Sequence, residues 1–83
     1  MDKNIIYETL KEHLVSYFEV DPALISIEKL MEDDLGLDSL DMVEMLNCLK
    51  NNIGDNIEPG LFKNARTLQD AVDLLEPLWK QLH

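Results

Sequence analysis

Apolar side chains at helical spacing in three separate segments constrain the fold of this 83-residue chain more than any other feature. The segments are residues 3–19, residues 39–52 and a last stretch that begins at Thr67. Each stripe would bury one face of an amphipathic helix. The stripes consist of Ile6, Leu10, His13 or Leu14, Tyr17 and Phe18, then Met42, Met45, Leu46, Leu49 and Ile53, and finally Leu68, Ala71, Val72 and Leu75.

A long loop is expected between the first two helices. Asp21-Pro22 should end the first helix, because proline disfavours helical geometry in the residue before it. The loop runs to about Leu37 and is too apolar for a solvated linker. Its apolar residues are expected to hold it on the core: Leu24, Ile25, Ile27, Leu30, Met31, Leu35 and Leu37.

The last third of the chain predicts one short helix and one longer helix. Pro59-Gly60 introduces a segment in which Leu61, Phe62 and Ala65 predict one or two helical turns. Thr67 and Asp70 are spaced like a capping arrangement at the start of the last helix. Pro77 should end or kink that helix, and the apolar residues after it should cover the bundle: Leu78, Trp79 and Leu82. We therefore predict an all-α single domain over residues 1–83, a small four-helix bundle with a long loop between helices 1 and 2 and a short third helix.

The composition restricts the partners. The chain has seventeen Asp and Glu residues and seven Lys and Arg residues, which gives a net charge of −10. Such a chain repels nucleic acid and anionic membranes and favours proteins with basic docking patches. No apolar run is long enough to span a membrane, and no basic, apolar leader precedes Asp2, so we expect a cytoplasmic protein. We also expect it to be a monomer. The single cysteine, Cys48, cannot form an internal disulfide and is expected to be structural.

Ser39 is the candidate functional residue. Residues 34–44 read Asp-Leu-Gly-Leu-Asp-Ser-Leu-Asp-Met-Val-Glu, where a loop containing glycine leads into an acidic amphipathic helix. A serine in the first helical turn has its hydroxyl beside unpaired backbone N–H groups, at the positive end of the helix dipole. A phosphate ester at Ser39 would be stabilised there, so the position suits an anionic prosthetic group.

The Leu-Gly-x-Asp-Ser-Leu stretch before this acidic helix resembles the acyl carrier proteins. The similarity extends to the length, the acidity, the long loop before Ser39 and the start of the last helix at residues 67–72. The resemblance implies that Ser39 carries covalent 4′-phosphopantetheine. It also implies that acyl intermediates are held as thioesters and delivered to enzymes of fatty-acid, polyketide or specialised lipid biosynthesis.

The resemblance also implies roles for the neighbours of Ser39. A phosphopantetheinyl transferase would load Ser39 in a metal-dependent step, and Asp38 is best placed to assist it. The docking face for acyl-processing synthases and transferases would be formed by Leu40, Asp41, Glu44 and Asn47. Since neither His13 nor His83 lies near Ser39 in sequence, nothing would activate the serine hydroxyl as a nucleophile, and we expect no enzyme activity.

Some alternatives remain open at this stage. An aminoacyl or peptidyl carrier is one, and a cofactor-free acidic adaptor with Ser39 as a helix N-cap is another. A calcium site is weaker, because Asp33, Asp34, Asp38 and Asp41 lack EF-hand spacing. Met31, Met42 and Met45 could line a cargo site or belong to the core. Lys63, Asn64 and Arg66 replace much of the acid expected from the resemblance, which indicates a specialised pathway, a different set of partners or ordinary variation within the family.

Overall fold

Four α-helices and two short 3₁₀-helices form the part of the chain that the structure, a computed structural model, describes: residues 3–54 and 60–79. The helices are α1 (Lys3–Tyr17), α2 (Ser39–Cys48), α3 (Lys50–Ile53) and α4 (Leu68–Leu75), with 3₁₀ turns at Pro22–Leu24 and Glu76–Leu78. The described residues contain no strand, only an isolated antiparallel bridge between Leu30 and Thr67. The predicted small all-α fold with a long loop between the first two helices is confirmed. No helix in the described ranges is long and apolar enough to cross a membrane.

The first helix ends two residues earlier than its pattern predicts. Ile6, Leu10 and Leu14 are completely buried, as the spacing requires, whereas Tyr17 is 65% exposed and Phe18 is half-buried. Glu19 then adopts a left-handed φ of 56°, and the N–H of Val20 donates to the carbonyl of Leu14 at 3.0 Å. This reversal ends α1 before Asp21-Pro22 is reached.

The long loop is fixed to the core by apolar anchors and by backbone hydrogen bonds. Ile25, Met31, Leu35 and Leu37 are buried, as expected, but Leu24 is 51% exposed and does not anchor the loop. Leu24 is the last residue of the Pro22–Leu24 turn, in which no residue is buried. Two hydrogen bonds join the loop to α4, from Leu68 N to Lys29 O (3.1 Å) and from Gln69 N to Ile27 O (2.8 Å), and a third joins it to the residue before the α4 cap, from Met31 N to Arg66 O (2.8 Å).

The segment predicted as one helix over residues 39–52 is divided in two. Leu49, with ψ near 7°, separates α2 from α3, and Gly54 ends α3 with a positive φ of 95°. Met45, Leu46 and Leu49 are buried, while Met42 and Ile53 are only half-buried. The predicted stripe is therefore correct at its centre, and the single helix is wrong at its end.

The short third helix is α3, and the helix expected around Leu61–Ala65 is not observed. Residues 60–65 instead form hydrogen-bonded turns, with Lys63 N donating to Gly60 O (2.9 Å) and Ala65 N to Phe62 O (3.0 Å). Phe62 and Ala65 are nonetheless buried, so the segment is anchored in the core.

The last helix follows its prediction closely. Thr67 accepts from Asp70 N at 3.1 Å, the Asp70 carboxylate accepts from Thr67 N at 3.2 Å, and the four apolar residues of the stripe are all buried. Pro77 lies in the 3₁₀ turn that follows α4. Trp79 is buried against the core while Leu78 is 44% exposed. Leu82 lies outside the described residues.

Candidate functional site

Ser39 is the first residue of α2, and the residue that caps this helix is Asp38. Asp38 has an extended backbone (φ −89°, ψ −179°), and its Oδ1 accepts from Asp41 N at 2.8 Å. Asp41 Oδ2 accepts in return from Asp38 N at 3.2 Å, which completes a capping box. The Ser39 side chain is exposed and takes no part in this box. The adaptor interpretation, in which Ser39 is the cap, is therefore wrong at this point.

The loop immediately before Ser39 is a closed turn that fixes where α2 begins. Leu30 N donates to Asp34 Oδ2 at 2.8 Å, and Leu37 N donates to Met31 O at 2.9 Å. Gly36 has a left-handed φ of 72°, which glycine adopts without steric cost. Leu37 is only 2% exposed. The buried Leu37 and the Asp38 cap together hold Ser39 at the surface on a rigid backbone.

A cleft opens beside Ser39. Its near part, about 270 Å³, is lined by Glu32, Ser39, Met42, Val43, Gly60, Phe62, Lys63 and Ala65. A second part, about 380 Å³, shares Glu32, Met42, Lys63 and Ala65 with the first and adds Leu30, Asp33, Asn64 and Arg66. The wall next to Ser39 is thus largely apolar, and the far part carries charges of both signs. Met42 lines the cleft, whereas Met31 and Met45 are fully buried in the core.

The other predicted site residues follow one another on the outer face of α2. Leu40, Asp41, Glu44 and Asn47 are spaced by one, three and three residues, opposite the buried Met45 and Leu46. Leu40 is 68% exposed, Glu44 and Asn47 are exposed, and Asp41 is half-buried because it belongs to the capping box. We call these four residues the α2 face; the structure places them on one surface that begins next to Ser39.

Charged groups of both signs lie around Ser39: Glu32 and Asp33 line the cleft together with Lys63 and Arg66. Glu32, Asp33, Asp38 and Glu44 are exposed, as are Lys63 and Arg66. Among the described residues, no group of three or more His, Cys, Asp or Glu side chains is arranged to hold a metal ion. Cys48 is a free, half-buried thiol on α2 and does not line the cleft.

Several residues of the site could not be assigned from sequence. Phe62, Lys63 and Ala65 reach the cleft because the hydrogen bond from Met31 N to Arg66 O holds the loop beside segment 60–66. Glu32 belongs to the acidic run in the sequence, but nothing in that run indicates that it lines a cleft with Ser39. These contacts depend on tertiary structure and leave no local signal.

Comparison with known proteins agrees with this geometry. The family described as "Phosphopantetheine attachment site" matches residues 8–75. The acyl carrier protein of Campylobacter concisus is 31% identical over 75 residues, covering 90% of this chain and 97% of the relative. Acyl carrier protein 2 of Ralstonia nicotianae is 31% identical over 78 residues, covering 94% and 96%, and the acyl carrier protein of Petrotoga mobilis is 31% identical over 75, covering 90% and 88%. The structure has an exposed serine at the start of a capped acidic helix, with a cleft beside it, and the matches cover most of the chain. The protein therefore belongs to the acyl carrier protein family and carries covalent 4′-phosphopantetheine.

Proposed function

We propose that Ser39 is the residue to which phosphopantetheine is attached. The observation that carries this proposal is that Asp38, and not Ser39, caps α2, so that the exposed Ser39 lines the cleft with its hydroxyl unused by the cap. Among the described residues, the N–H groups of Ser39 and Leu40 have no acceptor. They point to the region where a phosphate ester on Ser39 would carry its negative charge.

The chain's own residues fit an acceptor of this group rather than a catalyst. Among the described residues, no histidine or cysteine lines the cleft with Ser39, so the serine has no evident base of that kind. We infer that a separate phosphopantetheinyl transferase supplies the base and the metal ion, and that this chain catalyses nothing itself. Asp38 adjoins Ser39, and its carboxylate has an oxygen, Oδ2, that the cap does not use. That oxygen supports a role for Asp38 in the transfer step.

The thiol at the end of the bound arm holds an acyl group as a thioester, tethered at high effective concentration to the enzymes that dock here. The α2 face is the surface that we propose for docking, because it is exposed, acidic and adjacent to Ser39. Acyl-processing synthases and transferases with basic patches are the expected partners, in fatty-acid, polyketide or specialised lipid biosynthesis. The whole chain, residues 1–83, would act as one monomeric carrier domain in the cytoplasm.

The attachment residue can be identified by peptide mapping. Cleavage after Lys29 and Lys50 gives a peptide of residues 30–50, in which Ser39 is the only residue with a hydroxyl group. After incubation with coenzyme A, Mg²⁺ and a broad-specificity transferase, the added mass is expected on this peptide alone. The other two serines, Ser16 and Ser26, both fall in the peptide of residues 12–29. Added mass there would contradict the assignment.

Docking on the α2 face is best tested at Glu44. Asp41 also belongs to this face, but reversing its charge would remove half of the capping box and confuse stability with recognition. Glu44→Lys is expected to slow modification at low salt and to weaken its salt dependence, since exposed charges are screened within about 10 Å at 0.1 M salt. Glu12→Lys, an equal change at an exposed residue of α1, is the control. Equal rates for the two variants would count against docking on this face.

We also propose that an acyl cargo lies in the near part of the cleft. Met42, Val43, Phe62 and Ala65 offer it an apolar wall. Six buried methylenes would gain about 5 kcal/mol before any cost of opening the cleft. Thermal unfolding of the octanoyl and holo forms tests this, and a higher Tm is expected for the octanoyl form. Equal Tm values would show that the cargo stays in solvent.

A further inference from the structure

Two exposed cations line the cleft beside Ser39. Lys63 lines both parts of the cleft, including the part that contains Ser39, and Arg66 lines the far part. We call these two residues the basic wall. Asp38, which precedes α2, and Glu44, which lies on α2, are exposed as well. Glu32 lines the cleft beside Lys63, and Asp33 lines its far part with Arg66, so the basic wall places two cations in a surface around Ser39 that is otherwise acidic.

The basic wall is held on a fixed backbone. Lys63 N donates to Gly60 O at 2.9 Å, and Arg66 O accepts from Met31 N at 2.8 Å. Arg66 N in turn donates to Asp70 Oδ2 at 3.0 Å. Between the two cations, Ala65 is buried in the core. The backbone from which the two cationic side chains extend is thus held in place beside the loop that leads to Ser39.

An enzyme that reaches Ser39 must also cover the basic wall. A standard interface buries roughly 800 Å² on each partner, which corresponds to a disc of about 16 Å radius. The whole molecule measures only 32 × 23 × 20 Å. A contact area of that size centred on Ser39 extends across the cleft to Lys63 and Arg66.

We propose that Lys63 and Arg66 determine which enzymes this carrier accepts. They favour a partner that presents acidic side chains opposite the basic wall and basic side chains opposite the α2 face. They disfavour a partner whose whole contact surface is basic, because like charges brought together oppose association. The inference rests on the proposed docking at the α2 face, and it adds the second half of the surface.

The expected repulsion between the basic wall and a basic partner is tested with a transferase whose contact surface is uniformly basic. Its kcat/KM for the apo protein is measured with coenzyme A and Mg²⁺ across a NaCl series. Lys63→Glu, which reverses one exposed charge, is expected to raise kcat/KM about 2- to 5-fold at low salt. Lys63→Gln, which only removes the charge, should give a smaller rise. Both gains should vanish near 1 M NaCl, where screening acts within about 3 Å. Lys11→Glu, at a residue of α1 that lines neither part of the cleft, should leave kcat/KM nearly unchanged.

The expected attraction between the basic wall and an acidic partner surface is tested by changing the transferase. Single Lys or Arg residues around its active site are replaced by Glu, and each variant is paired with the wild-type carrier and with the Lys63→Glu/Arg66→Glu carrier. At least one transferase variant should modify the wild-type carrier faster than the doubly reversed carrier, an inversion of the order seen with the original transferase.

The outcomes separate this proposal from the docking proposal. If Glu44→Lys slows modification while Lys63→Glu has no effect, the basic wall lies outside the contact area and the inference is overturned, although docking at α2 stands. A lower rate for Lys63→Glu with the basic transferase would also overturn it, because the sign is reversed. If neither Glu44→Lys nor Lys63→Glu alters the rate, the docking proposal itself fails.

Discussion

Replacing Asp38 separates its structural role from its chemical one. Asp38→Ala removes the acceptor for Asp41 N, a hydrogen bond of 2.8 Å at the start of α2. Loss of an Asp N-cap costs about 1 kcal/mol. For a domain of this size, about 1 kcal/mol corresponds to a fall in Tm of roughly 4–8 °C. The variant should nevertheless remain folded at 25 °C, because a small domain is stable by about 5 kcal/mol or more.

Asp38→Asn is the matched variant. Its side-chain oxygen can still accept from Asp41 N, so its Tm should stay close to that of the wild type. It lacks the negative charge, however, that we propose to assist the transfer to Ser39. Both variants should therefore be modified more slowly by the transferase, about 10-fold or more, while only the alanine variant loses stability.

Two assays decide between the roles. Thermal unfolding followed by circular dichroism reports the cap, and intact mass against time at 25 °C reports the transfer. An unchanged Tm for Asp38→Ala would refute the capping argument. Modification of Asp38→Asn at the wild-type rate would show that Asp38 acts only as a cap, and the carboxylate would then have no part in the transfer.

Two further predictions concern stability. An added Cβ meets no atom within 4 Å at Gly36 or at Gly60, but Gly36 has a φ of 72° whereas Gly60 has no positive φ. Gly36→Ala should therefore lower the unfolding free energy by about 1 kcal/mol in urea titrations, and Gly60→Ala should have little effect. Similar values for both variants would contradict this. The pKa of Asp70 lies below its usual 3.8, chiefly because its carboxylate accepts from Arg66 N and also from Thr67 N. A carboxyl group with a lowered folded pKa stabilises the fold above its unfolded pKa, and this contribution is lost as the pH falls through the folded pKa. The urea midpoint of Asp70→Asn should therefore lie below that of the wild type at pH 7 and approach it as the pH falls through the folded pKa, and a constant difference would contradict the linkage.

The sequence predicted those elements whose signals are local. The stripe of α4 and the first three turns of the α1 stripe, Ile6, Leu10 and Leu14, match residues that are completely buried, and the Thr67 cap forms as its spacing indicates. Glycine in the loop and the acidic helix placed Ser39 at the start of α2. These features depend on residues within one or two helical turns of each other, so the local pattern contains the information.

The missed features depend on contacts between distant segments. Phe62 and Ala65, three residues apart, suit a helix and a 3₁₀-like turn equally, and the structure contains the turn. The break between α2 and α3 at Leu49 contains no proline or glycine that would predict it from the sequence. Lys63 joins the cleft only because residues near 30 and 66 are hydrogen-bonded to each other, a contact between positions 35 residues apart. Helical periodicity cannot encode such a pairing.

The central claim is that Ser39 holds the prosthetic group, and intact-mass spectrometry of the protein and its Ser39→Ala variant tests it most directly. Both are incubated with coenzyme A, Mg²⁺ and a broad-specificity transferase, beside a carrier known to be modified under the same conditions. We predict a gain of one phosphopantetheine on the wild type and none on Ser39→Ala. A gain on the variant, or no gain on the wild type while the control carrier is modified, would contradict the assignment of Ser39.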